Sequence, residues 1–150
     1  MMNIKQFKPN KRGRYQQGYI NPSSCKKLFK SQSNEPIIFR SSYERTFVYW
    51  LESCKEVKQW ASECIKIPYE YIDGKIHNYY PDYVVEMMNG DKLVIEIKPK
   101  NQTIRPVNEN SKSYEMYVRN MCKWKAAKRY CEMNGYKFQI LTEETISRLK

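Results

Sequence analysis

The sequence predicts one α/β domain whose elements follow in the order helix, three strands, helix, strand, helix. Apolar residues recur at helical spacing in two segments, at about residues 42–55 and 113–134. Between these segments, apolar stretches are separated by Asp73-Gly74 and Asn89-Gly90, and both pairs are typical of hairpin turns. At 150 residues the chain is long enough to fold around a single hydrophobic core.

The first helix is predicted to begin after Ser41. The Ser41 hydroxyl can accept a hydrogen bond from the Glu44 amide, and the Glu44 carboxylate can return one, which makes a capping box. We expect the apolar stripe that follows to face the core. The stripe consists of Tyr43, Phe47, Trp50, Leu51 and Cys54.

The three strands, predicted from residue 63 to residue 98, would form an antiparallel meander. A two-residue loop at Asn89-Gly90 would mix charged and apolar residues on both faces of the last hairpin. A three-residue loop over 88–90, with Gly90 left-handed, instead places Asp82 opposite Glu96 and leaves one face apolar. That face consists of Tyr83, Val85, Leu93, Ile95 and Ile97.

This register makes Asp82 and Glu96 direct neighbours, with Cβ atoms roughly 5 Å apart, and Lys98 projects from the same face. Two carboxylates this close repel each other unless one is protonated or a cation bridges them. Mg²⁺ or Mn²⁺ would satisfy both, because these ions prefer oxygen ligands, and a nearby lysine suits phosphate chemistry. The alternative is that both carboxylates are hydrated and that Lys98 pairs with Glu96.

The long helix is predicted from Ser113 to Asn134, and Gly135 suits its C-terminal cap. The strand YKFQILT and a short helix capped by Thr142 follow. One side of the long helix is apolar and consists of Tyr114, Tyr117, Met121, Trp124 and Cys131. We expect Arg119 and Lys123 to lie on the opposite, solvated side. Lys125 and Lys128 flank the apolar side.

The charge of the chain indicates a polyanionic partner, since 27 Lys and Arg against 16 Asp and Glu give +11. Residues 1–34 contain no acidic residue, and we interpret them as an extended basic N-terminal arm or a loosely packed lead-in, without regular structure, that precedes a domain over residues 35–150. A solvated tail is the alternative. The candidate phosphate contacts are Lys11, Arg12, Arg14, Lys26 and Lys27 of the arm, with Lys125 and Lys128 of the long helix.

The sequence gives no sign of a zinc site or of a membrane partner. The five cysteines include no C-x-x-C pair, and reduced core thiols are the simplest interpretation. No run of 18 apolar residues exists, and the N-terminus lacks the apolar stretch of a signal peptide. We therefore expect an intracellular protein.

The motif formed by Pro81-Asp82 and Glu96-Ile97-Lys98, with a glutamate early in the first helix, resembles the PD-(D/E)XK nuclease superfamily. The resemblance implies a restriction-endonuclease-like αβββαβ core with a central mixed sheet flanked by helices. Longer segments between residues 18 and 106 resemble the head completion nucleases of T-even-like tailed phages and, more distantly, the TnsA-type endonucleases. These segments are GYINPSSCKK, IIFRSSYERTFVYWLE, VKQWASE, IPYEYIDGKIHNYYPDY and EIKPKNQTIRP.

The resemblance implies roles for particular residues. Asp82 and Glu96 would hold a catalytic Mg²⁺, for which Mn²⁺ would substitute, together with the Ile97 carbonyl. Lys98 would position or activate the attacking water. Glu44 would contribute a second metal contact or a water contact, and Glu63 is a lesser candidate. No small-molecule cofactor is implied.

The function implied is a metal-dependent DNA endonuclease that trims packaged DNA ends during phage head completion. Its partners would be DNA and head or neck proteins, in the host cytoplasm during assembly, with the finished virion as a second location. A non-catalytic DNA-binding connector of the head and neck is the alternative. An RNA-binding module would need aromatic side chains on exposed strands, whereas here most aromatic residues fall on predicted core faces.

Overall fold

The computed structural model describes residues 18–149 of the chain. The strands are β1 (Gly18–Ile20), β2 (Ile37–Phe39), β3 (Val57–Ser62), β4 (Ile67–Glu70), β5 (Ile76–Tyr79), β6 (Tyr83–Met87), β7 (Lys92–Ile97) and β8 (Lys137–Leu141). The helices are α1 (Ser42–Ser53), α2 (Lys112–Asn134) and α3 (Glu143–Ser147). Among these residues, no helix is both long enough and apolar enough to span a membrane.

The central sheet has four strands in the order β3-β6-β7-β8. Strand β6 is antiparallel to both β3 and β7, and β8 runs parallel to β7. With α1 before β3 and α2 before β8, the elements around this sheet follow the predicted αβββαβ order. The mixed sheet flanked by helices confirms the predicted fold class.

The predicted meander is wrong in its first strand. The first strand of the central sheet is β3, which we did not predict because its sequence VKQWAS has polar residues at two adjacent positions. Strands β4 and β5 pair with each other in a separate hairpin. Pro81 lacks an amide hydrogen, and the segment 75–87 breaks around it into β5 and β6, which lie in different sheets.

The hairpin of β6 and β7 has the predicted register. Val84 lies opposite Val94, and Glu86 lies opposite Lys92. The loop over 88–90 places Gly90 at a φ of 94°, in the left-handed region that glycine tolerates best. Slipping this register by one residue would turn the apolar face away from the core.

Both faces of the central sheet are covered. On one face, Tyr83, Val85 and Ile95 pack against α1 residues such as Leu51. On the other face, Val84 and Val94 pack against Cys131 of α2. Asp82 and Glu96 therefore lie at the end of a hairpin whose two faces are both fixed by packing.

The caps of the helices follow the sequence with two differences. Ser41 Oγ accepts from the Glu44 amide at 3.3 Å, as predicted, but the Glu44 carboxylate accepts from the Arg40 amide at 2.7 Å and from the Ser41 hydroxyl at 3.4 Å rather than from the Ser41 amide. Gly135 ends α2 with a φ of 73°. Thr142 precedes α3 without a side-chain capping hydrogen bond.

The segment before α1 packs onto the rest of the domain at several points. Strand β1 pairs with β2, and the Gln32 side chain accepts from the Ser62 amide at 2.8 Å. The Trp60 amide donates to the Lys27 carbonyl at 3.0 Å, so residues 27–32 follow the free edge of β3. The expectation of no regular structure is wrong for β1, since burial of Ile20 and pairing with β2 stabilise it. Residues 1–17, with Lys11, Arg12 and Arg14, lie outside the described residues.

Candidate active site

The side chains predicted from the hairpin converge where β6 begins and β7 ends. Asp82 directly precedes β6, and its Oδ2 accepts a hydrogen bond from the Ile97 amide at 2.7 Å. Glu96 lies on β7, and its Oε1 is 3.8 Å from Nζ of Lys98. Mutual repulsion between the two carboxylates is one cause of the raised Asp82 pKa. Asp82, Glu96 and Lys98 thus form one cluster, as the register predicted.

The backbone of Asp82 is held by the end of β3. Glu63 follows that strand with a φ of 47°, which is uncommon for a residue with a side chain. Its amide donates to the Asp82 carbonyl at 3.0 Å, and its carboxylate forms an ion pair with Arg40. The left-handed turn at Glu63 therefore joins β3 to the site, and strained backbone of this kind is concentrated at functional sites.

Glu96 is almost fully buried, at 5% exposure, and Tyr79 of the β4–β5 hairpin contacts it. The hydroxyl of Tyr79, at the end of β5, donates a hydrogen bond to Glu96 Oε2. Burial raises the pKa of Glu96, while Lys98 and this hydrogen bond favour its ionised form. The Tyr79 contact orients one carboxylate oxygen and leaves the other beside Lys98.

Glu44 of α1 is also buried and faces Asp82. Burial and repulsion by Asp82 raise the pKa of Glu44 to about 8, against an ordinary value of 4.5. Burial and repulsion by Glu96 likewise raise the pKa of Asp82. The site therefore gathers more acidic charge than it stabilises by itself at neutral pH.

The donor set fits a small, hard divalent cation. Asp82 and Glu96 offer carboxylate oxygens, the Ile97 carbonyl is close by in sequence, and a bound cation would stabilise the ionised carboxylates. Within residues 18–149, no three histidine, cysteine or acidic side chains already stand in a ligating arrangement. Water or substrate oxygens would therefore complete the coordination, as is usual for Mg²⁺.

The predicted phosphate contacts among the described residues lie in two different settings. The amides of Lys26 and Lys27 donate to the Glu52 carboxylate, and the Lys27 ammonium donates to the Cys54 carbonyl. The Lys27 side chain thus holds the segment before α1 onto the domain. Lys125 and Lys128 are exposed on α2 and border an open cavity of about 750 Å³.

Two residues of the site were missed by the sequence interpretation. No role in the site was predicted for Tyr79, and Lys123 was expected on the solvated side of α2. Instead Lys123 is half-buried beside the site, and its Nζ lies 5.7 Å from the centre of the Tyr79 ring. Its spacing from Asn120 and Ala127, which are both buried, would have indicated a position on the inner face. Arg119 is also not simply solvated, because it lies 4.0 Å from the Tyr71 ring centre.

The raised pKa of Glu44 predicts that the metal-free protein loses stability as the pH rises. Between about pH 4.5 and 8 the folded state keeps this proton and the unfolded chain releases it, so the free energy of unfolding falls. We expect a loss of the order of 3 kcal/mol between pH 5 and pH 9. Denaturant titrations in EDTA would measure it. Glu44→Gln should reduce the slope, and an equally steep profile in that variant would contradict the assignment.

Tyr79→Phe is expected to weaken metal-dependent activity through Glu96. The hydroxyl orients a candidate metal ligand, and removal of such a partner typically costs about 10- to 100-fold in metal affinity or activity. The Mg²⁺ concentration for half-maximal cleavage should rise by at least about tenfold. Tyr49→Phe, at an exposed position of α1, is the matched control. Equal Mg²⁺ requirements in the Tyr79→Phe variant and the native protein would rule out this role.

Two comparisons with known proteins bear on this site. A family model described as the N-terminal domain of TnsA-like endonucleases matches residues 54–143. The head completion nuclease of Enterobacteria phage T4 is 34% identical over 124 residues, with 75% of this chain and 83% of that protein covered. The range that the family model matches contains Asp82, Glu96 and Lys98, and it begins after Glu44.

Proposed function

This chain belongs to the TnsA-like endonuclease family, and from that premise we propose that it is a Mg²⁺-dependent DNA endonuclease. We assign its active site to Asp82, Glu96 and Lys98, with Glu44 as a further contact to metal or water. The observation that carries this proposal is the convergence of the buried Glu96 and the half-buried Asp82, whose carboxylates repel each other, with one ammonium group at the end of a single hairpin.

The proposed reaction is in-line hydrolysis of a phosphodiester bond. When bound, a divalent cation would supply positive charge to the phosphate and would make a water molecule more acidic. Asp82, Glu96 and the Ile97 carbonyl would hold that cation, and Mn²⁺ would substitute for Mg²⁺ because the same oxygen ligands suit both. Lys98 orients the attacking water and stabilises negative charge on the phosphate.

The surroundings of Asp82 and Glu96 support their assignment as metal ligands. The Ile97 amide donates a hydrogen bond to Asp82 Oδ2, and the Tyr79 hydroxyl donates one to Glu96 Oε2. Each carboxylate thus has one oxygen fixed by a donor, which orients the other oxygen toward a cation. Preorganisation of this kind lowers the cost of arranging charge during the reaction.

We further propose that the reaction trims packaged DNA ends during head completion of a tailed phage. The phage T4 relative carries the name head completion nuclease, and similarity over most of both chains supports a shared role. Proteins of the phage head or neck would then be partners during assembly in the host cytoplasm. The net charge of +11 favours DNA as the substrate.

The experiment that tests the proposal incubates purified protein with plasmid and linear DNA in Mg²⁺, Mn²⁺ or EDTA. Cleavage in both metals and none in EDTA is expected. DNA binding without cleavage under every condition would instead favour a connector that binds DNA and does not cut it. Asp91→Asn, at the opposite end of the hairpin, is the control and should cut at the native rate.

A further inference from the structure

Lys123 reaches the active site from α2, although it is distant in sequence from the β6–β7 hairpin. Its Nζ lies 5.7 Å from the centre of the Tyr79 ring, and the Tyr79 hydroxyl is hydrogen-bonded to Glu96. Glu96 in turn lies beside Lys98, at 3.8 Å. Lys98 and Lys123 are therefore two cations that flank the same carboxylate.

The charge of Lys123 is not neutralised by a direct partner. None of the ion pairs within the described part of the chain includes it, and the side chain is half-buried. Burial lowers its pKa, and so does repulsion by Lys98 and Arg119, while Glu96 and Asp82 oppose that effect. A cation in this position would be stabilised by an added anion, because a buried charge is costly until it is paired.

A cavity of about 240 Å³ opens beside these groups. Lys123, Tyr79 and Glu96 contribute to its walls, together with Arg40 and Glu63. A water molecule needs only about 15 Å³ of such space, so a phosphate group can enter. The cavity thus combines an unpaired cation with room for an anion next to the proposed metal ligands.

We propose that Lys123 binds a backbone phosphate of DNA in this cavity, adjacent to the phosphodiester that is cut, as a second phosphate-binding cation alongside Lys98. This inference rests on the proposed function, which brings DNA to the site. The charges are complementary. If all groups are ionised, the cluster carries one more negative charge than positive, and a divalent cation reverses that sign. Its charged members are Glu44, Glu63, Asp82, Glu96, Arg40, Lys98 and Lys123.

A purely structural role for Lys123 makes a different prediction. A lysine stem that covers the Tyr79 ring contributes packing, and its loss changes stability without changing how salt affects DNA binding. A phosphate contact releases counterions when it forms, so its loss changes the salt dependence. The slope of binding against salt concentration therefore distinguishes the two roles.

The first experiment measures binding of the full chain to a DNA duplex in Ca²⁺, a divalent cation that also takes oxygen ligands and restores the positive sign of the cluster, over a range of salt concentrations. Lys123→Gln should weaken binding by about tenfold at low salt and reduce the slope of log affinity against log salt by about one. Lys123→Arg should retain most of the affinity at low salt and most of the salt slope. Lys137→Gln, which removes the same charge at the opposite end of the sheet, should retain the native slope. An unchanged slope for Lys123→Gln would overturn the proposal.

A second measurement needs no variant and so does not depend on a substituted chain folding. Lysine acetylation of the native protein is followed residue by residue, with and without DNA, by mass spectrometry. Lys123 should become protected by DNA and Lys137 should not. Equal acetylation of Lys123 with and without DNA would contradict the phosphate contact.

The two proposals fail in distinguishable ways. A native protein that binds DNA and never cuts it would remove the endonuclease proposal, and the salt slope of Lys123→Gln would still decide the role of Lys123. A native protein that cuts DNA, with Lys123→Gln unchanged in both KM and salt slope, would remove only the Lys123 proposal.

Discussion

Asp82→Asn is expected to reduce the kcat of metal-dependent cleavage by at least about a thousandfold without unfolding the protein. Asparagine keeps the shape of the side chain and an oxygen that can accept from the Ile97 amide at the 2.7 Å contact. It removes the negative charge that would hold the cation. The loss should therefore lie in metal binding and in chemistry together.

The same substitution is expected to stabilise the metal-free protein at alkaline pH. Burial and repulsion by Glu96 raise the pKa of Asp82, so the ionised carboxylate destabilises the folded state as the pH rises. Asparagine does not ionise and escapes that loss. Cleavage assays would test the loss of activity, and Mn²⁺ titrations would test the loss of metal binding. Denaturant unfolding at pH 8 would test the gain in stability.

The matched control is Asp91→Asn, because Asp91 is an exposed carboxylate at the other end of the same hairpin, paired with Lys137. That variant should cut DNA normally. Native-like cleavage by Asp82→Asn would contradict the assignment of Asp82 as a metal ligand of the active site. Loss of cleavage together with loss of folding would instead identify Asp82 as a structural residue.

Lys98→Met should separate metal binding from catalysis. Methionine retains much of the length of the lysine stem and removes the ammonium group that lies 3.8 Å from Glu96. A group that positions or activates water typically contributes about 10²- to 10⁴-fold, so kcat should fall by that range. The Mn²⁺ affinity should change little, since Lys98 supplies no ligand.

The measurements are single-turnover cleavage and Mn²⁺ binding followed by paramagnetic resonance. Lys137→Met, the same replacement at an exposed position of β8, controls for the added apolar side chain. A fall in Mn²⁺ affinity as large as the fall in rate would mean that Lys98 acts by arranging the metal ligands. In that case its assignment as the group that acts on water would be wrong.

The core of the site was predictable because it lies within one hairpin. Asp82 and Glu96 are related by local pairing alone, and the apolar alternation of Val85, Leu93 and Ile95 excludes a slipped register. Glu44 was predictable for a similar reason, since its place in the first helical turn follows from the cap at Ser41.

Tyr79 and Lys123 were not predicted as site residues because their positions depend on contacts between elements distant in sequence. The Tyr79 hydroxyl reaches Glu96 because Pro81 ends one hairpin and β6 begins another sheet, and local pattern does not show such a change of direction. Lys123 lies at the site because Trp124 and Cys131 set the rotation of α2 on the sheet. Its charge favoured a solvated position, and tertiary packing overrode that preference.

The parallel pairing of β7 with β8 has a consequence for when the enzyme can first act. The Lys98 amide donates to the Leu141 carbonyl at 2.9 Å, so the backbone of the proposed catalytic lysine is anchored by a strand that is synthesised about 40 residues later. A nascent polypeptide that already contains Glu44, Asp82 and Glu96 still lacks this anchor. We therefore expect cleavage only after β8 has been synthesised.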